Sequence, residues 1–377
     1  MPAIVAFMIV AIAVIAITYK TYVGYGKHFW YTKLFVFLFL ILAWCAPFIV
    51  FLLKNQLPSF TSAYVIKGLY FIFGFAFFLF VITFVRDAIW MIVDLIKKTP
   101  MKDIKNPPHL GKVNVYTIII TFLICIYGVF EAEKLPQVKT YDIVSPKIKE
   151  NTKVVMLSDL HIDTHVSSKD VRNIVNQVNE LKPDAIVLVG DIVDNSPNAL
   201  NEQMIELKKL SSKYGVYVAL GNHEFYVGLM DWILGFGHMG FEIMANLGMK
   251  VGDTGLYIAG LPDINAAQNS KMKISVESAL YGANKSDFVM MLSHTPKVAE
   301  GITKDNTDII LSGHTHGGQI FPFHYFTKKA NEGKLAGFYN VNGVKMYISR
   351  GARYWGPPMR IGAPSEITVF NLIAEKK

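Results

Sequence analysis

The spacing of apolar and polar residues divides the chain into two unlike halves. Residues 3–19, 34–53, 68–85 and 113–130 are four long runs almost free of charge. Runs of about 17–25 such residues can cross a bilayer as helices. Residues 1–130 are therefore predicted to form a four-helix transmembrane region. Trp30, Tyr31, Tyr64 and Trp90 fall near the ends of these runs, where amphipathic rings anchor at the membrane–water interface. The third run continues past Arg86-Asp87 into the amphipathic stretch 88–98. That continuation is predicted to leave the membrane as a helix, with Arg86 and Asp87 an interfacial pair, because ionised groups are costly deeper in. The first run lacks a basic start, which favours a span over a cleaved leader. No run carries the charges of an ion pathway, which argues against transport.

After residue 150 the apolar runs shorten to strand length. Residues 152–157, 184–189, 215–220, 288–292 and 308–311 are mostly apolar, and each breaks at once into a polar loop. Such runs predict strands buried on both faces. Residues 168–181 and 199–210 read as helices between them, the first with Ser168 at its start and Pro183 after its end. Residues 131–149, with Pro136 and Pro146, are expected to be a short, polar, extended linker. Residues 150–377 are expected to form a separate domain. The stretch 225–236 is unusually apolar beside these loops. It reads either as an interfacial helix or as a core helix.

The loops carry the chemistry. In order they are Asp159-Leu160-His161, Gly190-Asp191-Ile192-Val193-Asp194, Gly221-Asn222-His223-Glu224, Ser293-His294-Thr295-Pro296 and Gly313-His314-Thr315-His316. They supply carboxylates, imidazoles and one amide, but no thiolate. That set suits borderline or hard divalent metals such as Mn, Fe or Zn. In open α/β sheets, sites gather outside the carboxyl ends of strands, where these loops fall. One such motif arises easily by chance; all five in this order are specific. Their order and spelling resemble the calcineurin-like metallophosphoesterases over roughly residues 150–375.

The resemblance implies an α/β fold, a two-sheet sandwich flanked by helices. It also implies two divalent ions, with Asp191 bridging them. Asp159, His161 and His316 resemble the remaining ligands of one ion, and Asn222, His294 and His314 those of the other. A metal-bridged hydroxide would attack phosphorus. His223 resembles the general acid that protonates the leaving oxygen, and Asp194 would orient it. Asp163 and Glu224 adjoin the motifs and are expected at most to support the ligands. His28, His109, His165, His238 and His324 fall outside the motifs and are expected not to be ligands. Gln319 follows Gly317-Gly318 and could touch substrate or shape its own loop. Residues 349–360, before Pro364-Ser365-Glu366-Ile367, resemble a bacterial, membrane-associated branch of the family. Arg353 and Arg360 there could contact phosphate oxygens or brace a Gly/Pro-rich loop.

Charge adds a topology. Lys20, Lys27, Lys33, Lys97, Lys98, Lys102, Lys105 and Lys112 lie in the first and third loops of the membrane region. Lys54, Lys67, Lys134 and Lys139 lie on the other side. This bias, about two to one, predicts the first set inside and the catalytic domain outside the cytoplasm. Lys147 and Lys149, further from the last span, would narrow it. The net charge of +8 owes much to these loops, and no nucleic-acid-binding motif accompanies it. Cys45 and Cys125 both fall in spans, which excludes a disulfide framework in the soluble domain. Hydrophobic residues, 52% of the chain, concentrate before residue 131 and otherwise match a globular domain. The expectation is a multi-pass phosphohydrolase of a bacterial inner membrane. Its partners would be the lipid bilayer and a phosphorylated, amphiphilic or lipid-linked substrate. Two other readings stand beside it: a cytoplasmic-face pyrophosphatase acting on a nucleotide-linked lipid precursor such as UDP-diacylglucosamine, and a non-catalytic membrane sensor.

Overall fold

Apolar helices come first in the computed structural model, which describes residues 2–24, 28–53, 56, 59–98, 110–270 and 272–375. Helix α1 (Pro2–Tyr19) runs into a π-helical turn (Lys20–Gly24) and is followed by α2 (Trp30–Leu53), α3 (Ser59–Lys97) and α4 (Leu110–Glu133). All four helices are long and apolar enough to cross a membrane. The 39 residues of α3 make about 58 Å at about 1.5 Å each, nearly twice the hydrocarbon thickness. Its last turns are the helical continuation expected at 88–98. Ala11, Ala43 and Ala76 sit beside Val14 and Trp44 in the core of this unit, small residues that let helix backbones approach.

Arg86 and Asp87 are not an isolated interfacial pair. Arg86 Nη1 donates to Asn114 Oδ1 at 2.8 Å and Thr117 Oγ1 at 3.1 Å, and Nε donates to Asp87 Oδ1 at 2.7 Å. Asn114 Nδ2 donates to the Thr21 carbonyl at 3.1 Å. A cation in an apolar bundle needs such partners, and these come from helices distant in sequence. Lys27, Lys54, Lys102, Lys105 and His109 lie outside the described residues.

The chain divides into two compact units, Met1–Phe130 with Gly356–Met359, and Glu131–Trp355 with Arg360–Lys377. The second contains β1 (Gln137–Ser145), β2 (Thr152–Leu157), α5 (Ser168–Glu180), β3 (Ala185–Val189), α6 (Asn201–Leu207), β4 (Val216–Ala219), α7 (Asn222–His238) and β5 (Glu242–Ile243). Then follow β6 (Leu247–Lys250), β7 (Leu256–Gly260), α8 (Ile264–Asn269), α9 (Val276–Ala279), β8 (Phe288–Leu292), β9 (Ile309–Ser312), α10 (Phe323–Ala330), β10 (Gly337–Val341), β11 (Val344–Ile348) and β12 (Glu366–Ala374).

These strands make two mixed six-stranded sheets, in the orders β1-β12-β2-β3-β4-β5 and β10-β11-β9-β8-β7-β6. In the first, β2, β3 and β4 are parallel; in the second, β7, β8 and β9 are parallel. Alternate side chains explain the unbroken apolar runs. Val154, Met156, Val187 and Val189 of one sheet meet Ile258, Met290, Leu292 and Leu311 of the other. Val155, Leu157, Ile186 and Leu188 point the opposite way, into a core shared with α5, α6 and α7. The inner strands of each sheet are thus buried on both faces.

Two sequence expectations need correction. Residues 131–149 are not a free linker: β1 pairs in parallel with β12, from Gln137 opposite Glu366 to Ser145 opposite Ala374. As an edge strand with alternating exposure, it carries enough polar residues to read as linker. Helix α5 begins at Ser168 as expected, and the Ser167 side chain just before it accepts from the Asp170 amide in a capping box. The helix expected over 199–210 is a 3-10 turn (Pro197–Leu200) followed by the shorter α6. Residues 225–236 lie in α7, which kinks at Gly228 (φ 115°). Trp232 and Phe236 are buried in the core, while Tyr226, Met230 and Leu234 are exposed.

Candidate metal centre

The five motifs lie just past the carboxyl ends of β2, β3, β4, β8 and β9. Backbone bonds stitch the loops together. The Asp159 amide donates to the Gly190 carbonyl and the His161 amide to the Asp191 carbonyl, both at 3.0 Å, while Gly313 donates to the His294 carbonyl at 2.9 Å. Asp159 (φ 53°), His161 (44°), Asp191 (53°), His314 (70°) and His316 (49°) all adopt the left-handed conformation. That costs a side-chain-bearing residue about 1–2 kcal/mol, and such strain concentrates where function over-determines the backbone. Glycine lets the loops close. A Cβ on Gly313 would lie 2.5 Å from Asp159 Oδ2, and one on Gly221 would collide with the Asp191 amide and carboxylate.

The candidate ligands converge in two groups. Asp159, His161 and His316 offer donor atoms within 4.8 Å of one another, as do Asp191, His294 and His314. In the first group, His161 Nε2 is 3.0 Å from His316 Nε2, which is 3.5 Å from Asp159 Oδ1. In the second, His294 Nε2 is 3.0 Å from Asp191 Oδ2. That same Asp191 oxygen is 3.9 Å from His161 Nε2, so it faces both groups. Asn222, the first residue of α7, is buried one residue before His223, whose amide donates to Asp191 Oδ1 at 2.9 Å.

Three imidazoles are fixed by their other nitrogen. Nδ1 contacts the Val189 carbonyl at 2.8 Å in His294, the Arg353 carbonyl at 3.2 Å in His316, and Asp194 Oδ1 at 2.8 Å in His161. Each therefore presents Nε2 to the cleft, as an anchored metal ligand does. Two buried oxygens, Asp159 Oδ2 and Asn222 Oδ1, have no hydrogen-bond partner. A buried carboxylate oxygen left so is costly, and a divalent cation resolves the cost. The nitrogen and oxygen donor set, without thiolate, fits such cations. The residues present therefore fit a metal centre.

Burial, reinforced by His161 and Arg360, lowers the pKa of His316, and burial with His294 lowers that of His314. Both stay neutral and keep a lone pair for a metal. Burial alone would lower His294, but the Asp191 charge and hydrogen bond raise it well above the usual range.

A third group holds His161, Asp194 and His223. Asp194 Oδ1 contacts His223 Nδ1 at 2.8 Å. Burial opposes charge on His223, yet the Asp194 hydrogen bond and the Asp191 and Asp194 charges raise it to about 9. Burial would likewise raise Asp194, but His161 and His223 hold it well below the carboxylate range. Two aromatic rings flank His223, Tyr226 at 5.5 Å and Trp355 at 5.9 Å between centroids.

The remaining expected residues separate. Gln319 bonds the Trp355 backbone twice, Nε2 to carbonyl and amide to Oε1, each at 2.9 Å. Its loop-shaping role is visible. Arg353 is buried, with its guanidinium 5.4 Å from the Tyr354 ring, and its carbonyl holds His316. Arg360 is fully buried and donates to the carbonyls of His316, Arg350, Gly351, Arg353 and Ala363. These bonds turn its Nη donors into the protein, as a brace of the loop requires. Among the described residues, His28, His165, His238 and His324 join none of the three groups. Asp163 Oδ1 accepts from the Thr164 amide at 2.7 Å and from Asn195 at 3.0 Å, steadying the loop after His161.

Glu224 does more than sequence reasoning allowed. Its buried carboxylate accepts from the amides of Asp191 (3.0 Å), Ile192 (2.7 Å), Val193 (3.1 Å) and Gly221 (2.7 Å). One side chain thus joins the loops after β3 and β4. The signal was a glutamate three residues after Gly221, whose carboxylate takes the Gly221 amide as the acidic half of a capping box does.

Comparison with known proteins follows the same residues. Residues 152–318 match the family model described as calcineurin-like phosphoesterase. The chain is 33% identical over 353 residues to an uncharacterized metallophosphoesterase of Campylobacter jejuni, covering 93% of this chain and 91% of that one. It is 33% identical over 268 residues to a transmembrane protein with metallophosphoesterase domain of Danio rerio, covering 67% and 61% respectively. It is 32% identical over 236 residues to the uncharacterized metallophosphoesterase YkuE of Bacillus subtilis, covering 58% and 78%.

Proposed function

This chain belongs to the calcineurin-like metallophosphoesterase family, and from that premise we propose that it hydrolyses a phosphoester or pyrophosphate bond of an amphiphilic substrate at a bacterial inner membrane. It is a metal-dependent phosphoesterase with four helices apolar enough to span a bilayer. The observation that carries the reading is the position of Asp191 Oδ2, 3.0 Å from His294 Nε2 in one ligand group and 3.9 Å from His161 Nε2 in the other.

Asp159, His161 and His316 would hold one ion, Asn222, His294 and His314 the other, and Asp191 both. When bound there, two divalent ions would supply the charge that binds a phosphate and lowers the pKa of water. Mn, Fe and Zn all suit these donors. His223 supplies the proton for the leaving oxygen. Its Nδ1 is held by Asp194 at 2.8 Å, so the transferable proton sits on Nε2. Burial opposes that charge and the two aspartates sustain it, which keeps the ring charged at neutral pH. The catalytic domain lies outside the cytoplasm, on the lysine bias of the membrane loops.

The test is hydrolysis by the purified full-length protein in lipid nanodiscs, with Mn, Zn or Fe, over amphiphilic and water-soluble phosphoesters. The reading expects kcat/KM at least about tenfold higher for an amphiphile. Equal values would leave the helices as an anchor only and remove the lipid-linked substrate.

A further inference from the structure

We propose that helix α10 is a second membrane contact, an aromatic and basic foot that seats the metal centre on an anionic bilayer surface. The helix has no buried residue along its length. Tyr325 and Phe326 are 65% and 67% exposed, and Phe321, just before the helix, is 49% exposed. Lys328 and Lys329 form its last turn and are exposed. Eight residues are too few for a helix to be stable in water by itself, so packing must hold it. Large aromatic rings clustered at a surface mark an interaction site.

The composition selects the partner. Tyrosine and phenylalanine beside lysine are the residues of an interfacial helix, apolar rings in the acyl boundary and ammonium groups at anionic headgroups. A lipid surface is also at hand, because this chain carries four helices apolar enough to span a bilayer. The foot is coupled to the catalytic loops. It follows the turn His316–Gly318, and its His324 packs directly on the backbone of Gly318. Gln319 ties the same turn to Trp355, whose ring lies 5.9 Å from that of His223. Seating α10 would therefore hold the cleft at headgroup level. The inference rests on exposure and composition, not on the substrate proposed above.

Lipid contact can be read without activity. In full-length protein carrying Cys45→Ala and Cys125→Ala, an environment-sensitive fluorophore is attached at Tyr325→Cys or, as a water-exposed reference, at Tyr281→Cys. Each is reconstituted into vesicles of phosphatidylcholine and phosphatidylglycerol. At position 325 the emission should shift to the blue and be quenched several-fold by spin-labelled lipids, while position 281 stays water-like. Lys328→Glu with Lys329→Glu should weaken the quenching, as should vesicles of phosphatidylcholine alone. Water-like emission at 325 would overturn the proposal. So would a blue shift that lipid quenchers cannot reach, which would mean that protein covers the helix. Quenching insensitive to both charge changes would overturn the anionic surface.

Discussion

His223 and Asp194 are joined by a 2.8 Å contact from Nδ1 to Oδ1, and the same oxygen lies 2.8 Å from Nδ1 of His161. One carboxylate thus orients a proposed proton donor and a proposed ligand. His223→Ala should leave metal content unchanged but lower turnover of poor leaving groups by about 10²–10⁴-fold, the scale of general acid catalysis. Activated aryl esters, which need less protonation, should lose less. Metal analysis and paired kinetics check this. Metal loss with equal damage to both substrate types would make His223 a ligand.

Glu224 should be sensitive in a different way. Glu224→Ala would strand four buried amides, each worth about 1–3 kcal/mol when unsatisfied, and is expected not to fold. Glu224→Gln keeps one acceptor oxygen and should fold. Its metal affinity should fall about 10–100-fold, as when a ligand's support is removed. Calorimetric titration of metal into the chelated protein measures this. Unchanged affinity would mean that the amide network does not position Asp191.

Arg360 separates a brace from a substrate contact. Arg360→Lys keeps the charge but cannot span five carbonyls. Stability should fall by about 1.5–3 kcal/mol, the range for hydrogen bonds to charged groups, with KM unchanged. A raised KM at unchanged Tm would restore the phosphate contact.

Sidedness is open to labelling. In a background lacking Cys45 and Cys125, Leu135→Cys should react with a membrane-impermeant thiol reagent in intact cells, with any outer membrane permeabilised. Lys112→Cys should not. The reverse pattern would move the domain to the cytoplasm and favour a nucleotide-linked lipid precursor as substrate.

Much of the fold was legible because burial on both faces writes itself as unbroken apolar runs, and because each run ends in a polar loop. Asp159, His161, Asp191, His294, His314 and His316 meet for that reason: parallel strands deliver their loops to one end of a sheet. Strand β1 was illegible because an edge strand needs only alternating partial burial. The role of Arg360 was hidden for a different reason. Its partners are main-chain carbonyls, and a carbonyl's direction depends on turns that side-chain identity does not reveal. Glu224 lay between, its capping spacing visible but its reach to the loop after β3 not. The exposure of α10 was equally unreadable, since aromatic residues in a short helix look like core.

Asp191 Oδ2 faces both ligand groups and is placed to bridge two metal ions. Metal content per chain and hydrolysis rate, measured together on the native protein and Asp191→Ala after loading with Mn or Zn, test it most directly. The account predicts two ions per chain in the native protein, and no more than one, with turnover near background, in the variant. Circular dichroism at low temperature should show the variant folded, since the sheets do not depend on that carboxylate. An Asp191→Ala protein that holds two ions and hydrolyses at the native rate would contradict the account.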